Sequence, residues 1–108
     1  MTLPAADILR RETEALELRL APEAITAACR DHFPGWPVLP GVALLDWAVA
    51  LAAAHLGTPR AAGNVQVKFL HLVRPGAALT LRLAREGERI GFVYTADGAI
   101  AARGRFAP

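Results

Sequence analysis

Between Val42 and Ala54 a run of alanine, leucine, valine and tryptophan is broken by one charged residue, Asp46. Alanine and leucine favour helix, and Gly57 with Pro59 beyond it supplies a stop, so the spacing predicts a helix over Val42–Leu56. Such a helix has no polar face, and almost every side of it must be packed. A chain of 108 residues can build one core but not two. A sheet wrapped about the helix is one way to cover it within that limit.

The remaining sequence offers the strands. Leu16, Leu18 and Leu20 alternate with Glu17 and Arg19, the pattern of a half-buried strand over Ala15–Leu20. Pro22 ends it, and Pro22 to Arg30 reads as a short helical turn. Beyond the long helix, Val65, Val67, Phe69 and Val73 share one face of a strand over Asn64–Val73, and Arg74-Pro75-Gly76 reads as a turn. Leu79, Leu81 and Leu83 alternate with Thr80, Arg82 and Ala84, and Glu86-Gly87-Glu88 turns the chain again. Ile90, Phe92 and Tyr94 alternate next, Asp97-Gly98 marks a tight hairpin, and Ile100, Ala102, Gly104 and Phe106 stand opposite Arg103 and Arg105. The order is strand, loop, buried helix, then four strands in hairpin sequence. This predicts one α+β domain over residues 1–108, an antiparallel sheet around one long central helix.

Composition narrows the functional classes. At 54 % hydrophobic the chain is globular, and so apolar a short chain points to surface covered by a partner subunit. The net charge of +2 comes from scattered arginines with Lys68 the one lysine, and no basic run interleaved with aromatics suggests nucleic acid. Cys29 is the single cysteine, which fits a reducing compartment. No basic start followed by an apolar core marks a signal peptide, and the longest apolar stretch is too short to span a bilayer. The expectation is a soluble cytoplasmic protein.

Chemistry concentrates where the loop meets the helix. Three prolines and two glycines within His32–Gly41 forbid regular structure, so the loop is shaped. His32 can act as a base near neutral pH. Asp46, among apolar neighbours, is expected to be desolvated and so to hold a proton that it can donate. Gly41 stands at the helix start, where unpaired N–H groups can hold an oxyanion. Base, acid and oxyanion donor suit proton abstraction beside a carbonyl, followed by loss of a β leaving group.

The run His32-Phe33-Pro34-Gly35-Trp36-Pro37-Val38-Leu39-Pro40-Gly41-Val42, with a carboxylate at Asp46, resembles the signature of the hotdog 3-hydroxyacyl-acyl-carrier-protein dehydratases of bacterial fatty-acid synthesis. Leu45-Asp46-Trp47-Ala48 looks more like the short aryl-polyene subgroup, and Lys68-Phe69-Leu70 with Arg74-Pro75-Gly76 resembles the family's later strand and turn. The resemblance covers roughly residues 15 to 108. It implies a homodimer, with possible higher assembly, whose sites lie at the interface with the histidine of one subunit facing the acid of the other. His32 would remove the α-proton and Asp46 would protonate the departing hydroxyl, without metal or organic cofactor. Gly41 N–H would hold the thioester carbonyl, and the Val38 carbonyl would orient His32. The substrate would arrive on an acyl carrier protein. Most short-chain members carry glutamate where this chain has Asp46, and the aspartate branch can also isomerise the product. Trp36 occupies a variable loop position.

Other readings stay open at this stage. A hotdog thioesterase would hydrolyse the thioester, and a non-catalytic acyl-binding subunit would keep the motif while pairing with another hotdog chain. Trp36 and Trp47 read as packing residues, His55 and His71 as peripheral, and Cys29 as a small buried residue. Arg60, Lys68 and Arg74 read as solvated cations that would also suit an acidic carrier.

Overall fold

The computed structural model describes residues 3–30 and 37–108. Two strands, β1 (Ala6–Arg11) and β2 (Ala15–Leu20), precede helices α1 (Pro22–Cys29) and α2 (Gly41–Leu56). Four strands follow: β3 (Gly63–Phe69), β4 (Leu79–Glu86), β5 (Arg89–Ala96) and β6 (Ala99–Ala107). All six form one antiparallel sheet in the order β1-β2-β4-β5-β6-β3. This is the α+β arrangement that the patterning predicts.

The inner face of the sheet is where the alternation pointed. Leu16, Leu18, Leu20, Leu79, Leu81, Leu83, Ile90, Phe92, Tyr94 and Phe106 are each at most 1 % exposed. They form one cluster with Leu44, Trp47, Ala48, Leu51 and Ala52 of α2, at the i, i+3, i+4, i+7 spacing that lays one helix face on a sheet. Ile25 and Cys29, four residues apart on α1, add the end of that core. Burial pushes the Cys29 thiol above its ordinary pKa, in keeping with a packing residue. Tyr94 is the polar exception within the sheet's inner face: its hydroxyl donates to the Leu44 carbonyl at 2.6 Å.

Three expectations need correction. The four later strands are not in hairpin sequence, because β3 pairs with β6 at the far edge and not with β4. The connection from β3 to β4 instead crosses the end of the β5–β6 hairpin. Leu70 and His71 donate to the Ala101 carbonyl there, and Ala78 exchanges bonds with Asp97. The Arg74–Ala77 turn bends this crossing; it does not join paired strands. Secondly, β3 ends at Phe69, and its side chains are largely exposed, Phe69 itself at 52 %. Thirdly, a register shift between Tyr94 and Thr95 turns Ile100 out to 41 % exposure and Ala101 into the core, so Ile100 leaves the face it was expected to share. Strand β1 was not anticipated: Ile8 and Leu9 are both exposed, and backbone pairing to β2 holds it without an alternating side-chain signal.

Candidate active site

Helix α2 starts one residue earlier than its composition suggested, at Gly41, with Pro40 extended before it at φ −64° and ψ 141°. Pro40 accepts from Ala43 and Leu44 and so closes the first turn. Among the described residues, neither Gly41 N–H nor Val42 N–H has a backbone acceptor, as expected of the open end of a helix. Both stand at the positive end of the α2 dipole. The approach to this end is firmly tethered. Val38 and Leu39 are buried, and Leu39 N–H donates to the Val73 carbonyl at 2.7 Å, joining the end of the loop to the crossing after β3.

Phe69 at the end of β3 lies over Gly41. A β-carbon on Gly41 would stand 2.8 Å from Phe69 Cζ, so the glycine lets the ring lie close over the helix start. Arg105 Nε, donating to Gln66 Oε1 at 2.8 Å, helps hold β3 against β6.

Asp46 is half-buried and opens on a cleft of about 370 Å³ lined by Leu45, Asp46, Val49, Arg60, Ala61, Ala62 and Val65. The expectation that apolar neighbours enclose Asp46 on all sides is therefore corrected: the carboxyl lies on the open stripe of α2, one turn after Val42, which is 66 % exposed. Alanine and leucine on the other stripes made the helix look sealed all round, but no strand covers this one. The cleft brings Asp46 together with β3 and with the segment before it, and Gly41 stands five residues earlier on the same helix. Val38 is buried beside the helix start. His32, with the Phe33–Trp36 part of the loop, lies outside the described residues.

Sequence patterning missed two contributors. Phe69 was read as a core-facing strand residue, and only the three-dimensional return of β3 to the helix start reveals its place. Arg60 was read as a solvated cation but lines the Asp46 cleft. Among the described residues no three His, Cys, Asp or Glu side chains cluster as a metal site would require. No helix among them is long and apolar enough to cross a membrane. His55, at the far end of α2, is pushed below its ordinary pKa by burial and then by the neighbouring Arg11, whose guanidinium lies 3.4 Å from Nδ1.

Comparison with known proteins agrees with this geometry. Residues 9–105 match the family model described as ApeI dehydratase. Over 80 residues the chain is 45 % identical to a 3-hydroxyacyl-(acyl-carrier-protein) dehydratase FabZ from Oenococcus oeni, covering 62 % of this chain and 58 % of that protein. The chain thus spans about three fifths of the length of the curated relatives it matches. Among solved structures, the dehydratase heterocomplex ApeI:P from Xenorhabdus doucetiae superimposes with a TM-score of 0.84 at 25 % identity, covering 98 % of this chain and 97 % of that one. A hypothetical thioesterase from Streptococcus pneumoniae, solved with coenzyme A, shares the fold at a TM-score of 0.73 but only 11 % identity, covering 94 % and 82 % of the two chains. The six-stranded sheet and long helix are those of a hotdog fold.

Proposed function

Because this chain belongs to the ApeI-like dehydratase family, we propose that it removes water from 3-hydroxyacyl thioesters carried on an acyl carrier protein, in fatty-acid or aryl-polyene-type synthesis. The observation that carries the assignment is Asp46, a lone carboxyl on an otherwise apolar helix, turned into a cleft a short distance from that helix's open amide end. His32 accepts the C2 proton of the substrate. The C3–O bond breaks, Asp46 supplies a proton to the departing hydroxyl, and water and a trans-2-enoyl thioester result. No electrons are exchanged with a second reactant, so the step itself needs no cofactor.

Negative charge gathers on the thioester oxygen as the C2 proton leaves. Gly41 N–H, at the positive end of α2 and without a backbone acceptor among the described residues, is assigned to receive it. The Val38 carbonyl orients the His32 imidazole and holds the tautomer whose free nitrogen faces the substrate. The acyl chain, on entering, packs its apolar surface against Leu45, Val49 and Val65 beside Asp46. The working assembly is a cytoplasmic dimer in which His32 of one subunit faces Asp46 of the other. The Xenorhabdus structure is a heterocomplex, so the partner is either a second copy or a related hotdog chain.

Mass spectrometry of 3-hydroxyacyl carrier proteins of several chain lengths, before and after incubation, tests the assignment. The expected product retains the thioester and has lost one water. His32→Ala and Asp46→Asn should each lower the rate by about 10²–10⁴-fold, the usual worth of a general acid or base. Release of free carrier thiol with the hydroxy acid would identify a thioesterase instead.

A further inference from the structure

Helix α2 carries the acid, and its core-facing stripe of Leu44, Trp47, Ala48, Leu51 and Ala52 sets its rotation in outline but not finely. Hydrophobic burial is non-directional, and a helix rich in alanine and leucine presents shallow ridges that pack in more than one rotation. A shift of one residue turns an α-helix by about 100°, enough to carry Asp46 from its cleft towards the core or the solvent. Something directional has to select the rotation that is seen.

Tyr94 supplies it. The ring lies in the middle of the sheet on β5, fully buried, edge-on to Phe92 with centroids 6.1 Å apart. A hydroxyl in that setting costs stability unless it is bonded, and phenylalanine would fill the same space without the cost. Its one bond reaches across the core to the Leu44 carbonyl, in the first turn of α2, three residues after Gly41 and two before Asp46. Resting on the dehydratase reading above, we propose that the Tyr94 hydroxyl fixes the rotation and axial position of α2 and so holds Asp46 in its cleft and the Gly41 amide end in register with it. Tyr94 is a positioning residue that acts through the helix backbone, not through the substrate.

The test is Tyr94→Phe. The Leu44 carbonyl keeps its helical bond from the fourth residue on, so the substitution leaves no buried group unsatisfied and the chain folds. Well below the unfolding temperature, kcat is expected to fall about ten- to a hundredfold, the scale of a displacement near 1 Å, while KM stays within about twofold. A second readout does not depend on catalysis. In a Cys29→Ala background, Asp46→Cys places a thiol in the cleft, and its labelling rate by a charged methanethiosulfonate should change at least severalfold when Tyr94→Phe is added, slower if position 46 turns to the core and faster if it turns to solvent. Unchanged kcat and unchanged labelling, with only a lower unfolding temperature, would overturn the proposal and leave Tyr94 a packing residue. If the unsubstituted protein dehydrates nothing, the functional reading fails, and labelling alone decides whether Tyr94 sets the helix.

Discussion

At the scale of single residues, Tyr94 is unusual in being the only tyrosine of the chain and in lying where water does not reach. Burial pushes its phenol well above the ordinary 10.0. The sign follows directly. Once unfolded, the side chain loses its proton near its ordinary value; folded, it keeps it. The unfolded state therefore binds fewer protons above pH 10, and stability falls as pH rises past that point. Alkaline titration followed by phenolate absorbance should show no signal from the folded protein near pH 10, then a cooperative rise that coincides with loss of the circular dichroism of the sheet. A smooth titration centred near pH 10, with the fold intact, would place the hydroxyl in contact with water and break the bond to Leu44. Gly41 shows the same dependence on tertiary context. Its missing side chain reads in the sequence as a helix-start glycine, but the ring that a side chain there would displace is Phe69, which the chain brings back from β3.

At the scale of elements, strands with strict alternation were legible: β2, β4 and β5 each bury one set of leucines or aromatics, and the polar members of the other set are half-buried or exposed. Helix α2 was legible from its alanines and its glycine stop, and Gly57 does adopt the left-handed φ of 71° that ends it. Strand β1 was not, because an edge strand held by main-chain bonds needs no period of two. The place of β3 was not legible either. Local pattern reports which residues face a core, but not which neighbour a strand chooses. One glycine on β6 permits the close approach that this pairing needs. A β-carbon on Gly104 would meet the Gln66 carbonyl and the Val67 Cα of β3, and would stand 2.9 Å from Phe92 Cζ. The obstruction is backbone, so it cannot swing aside. Gly104→Ala should therefore cost about 1–3 kcal/mol, read as a lower urea midpoint at unchanged slope. It should also loosen Val65 and Phe69 around the site. A loss below about 0.5 kcal/mol, the level of an inert surface change, would show that β3 is free to shift at little cost.

At the scale of the whole molecule, the two edges of the sheet are treated differently. Edge β1 exposes Ile8 and Leu9 but also carries Asp7, Arg10 and Arg11, charges that discourage further pairing. Edge β3 exposes Val65 and Phe69, continued by Leu70 and Leu72 in the crossing and Ile100 on β6. This apolar margin adjoins the open stripe of α2, where Val42 is exposed and Asp46 faces its cleft. Exposed apolar residues along an outer strand, beside the cleft that holds Asp46, are what a chain covered by a partner would present, and they give physical content to the composition, which hints that some surface is covered. The proposed dimer has a consequence that a self-contained site does not. His32→Ala and Asp46→Asn are each inactive as homodimers, but a mixed pair rebuilds one site from the intact histidine of one subunit and the intact acid of the other. With random exchange half the dimers are mixed and half their sites whole, so about a quarter of the original activity should return. The measurement is turnover against time after equal amounts of the two variants are mixed, beside sedimentation equilibrium of each alone. Recovery to that level supports a site shared between like subunits. No recovery, in variants that sediment as exchanging dimers, would mean that each chain carries His32 and Asp46 to its own substrate. Variants that sediment as monomers would assign the β3 edge to a different chain.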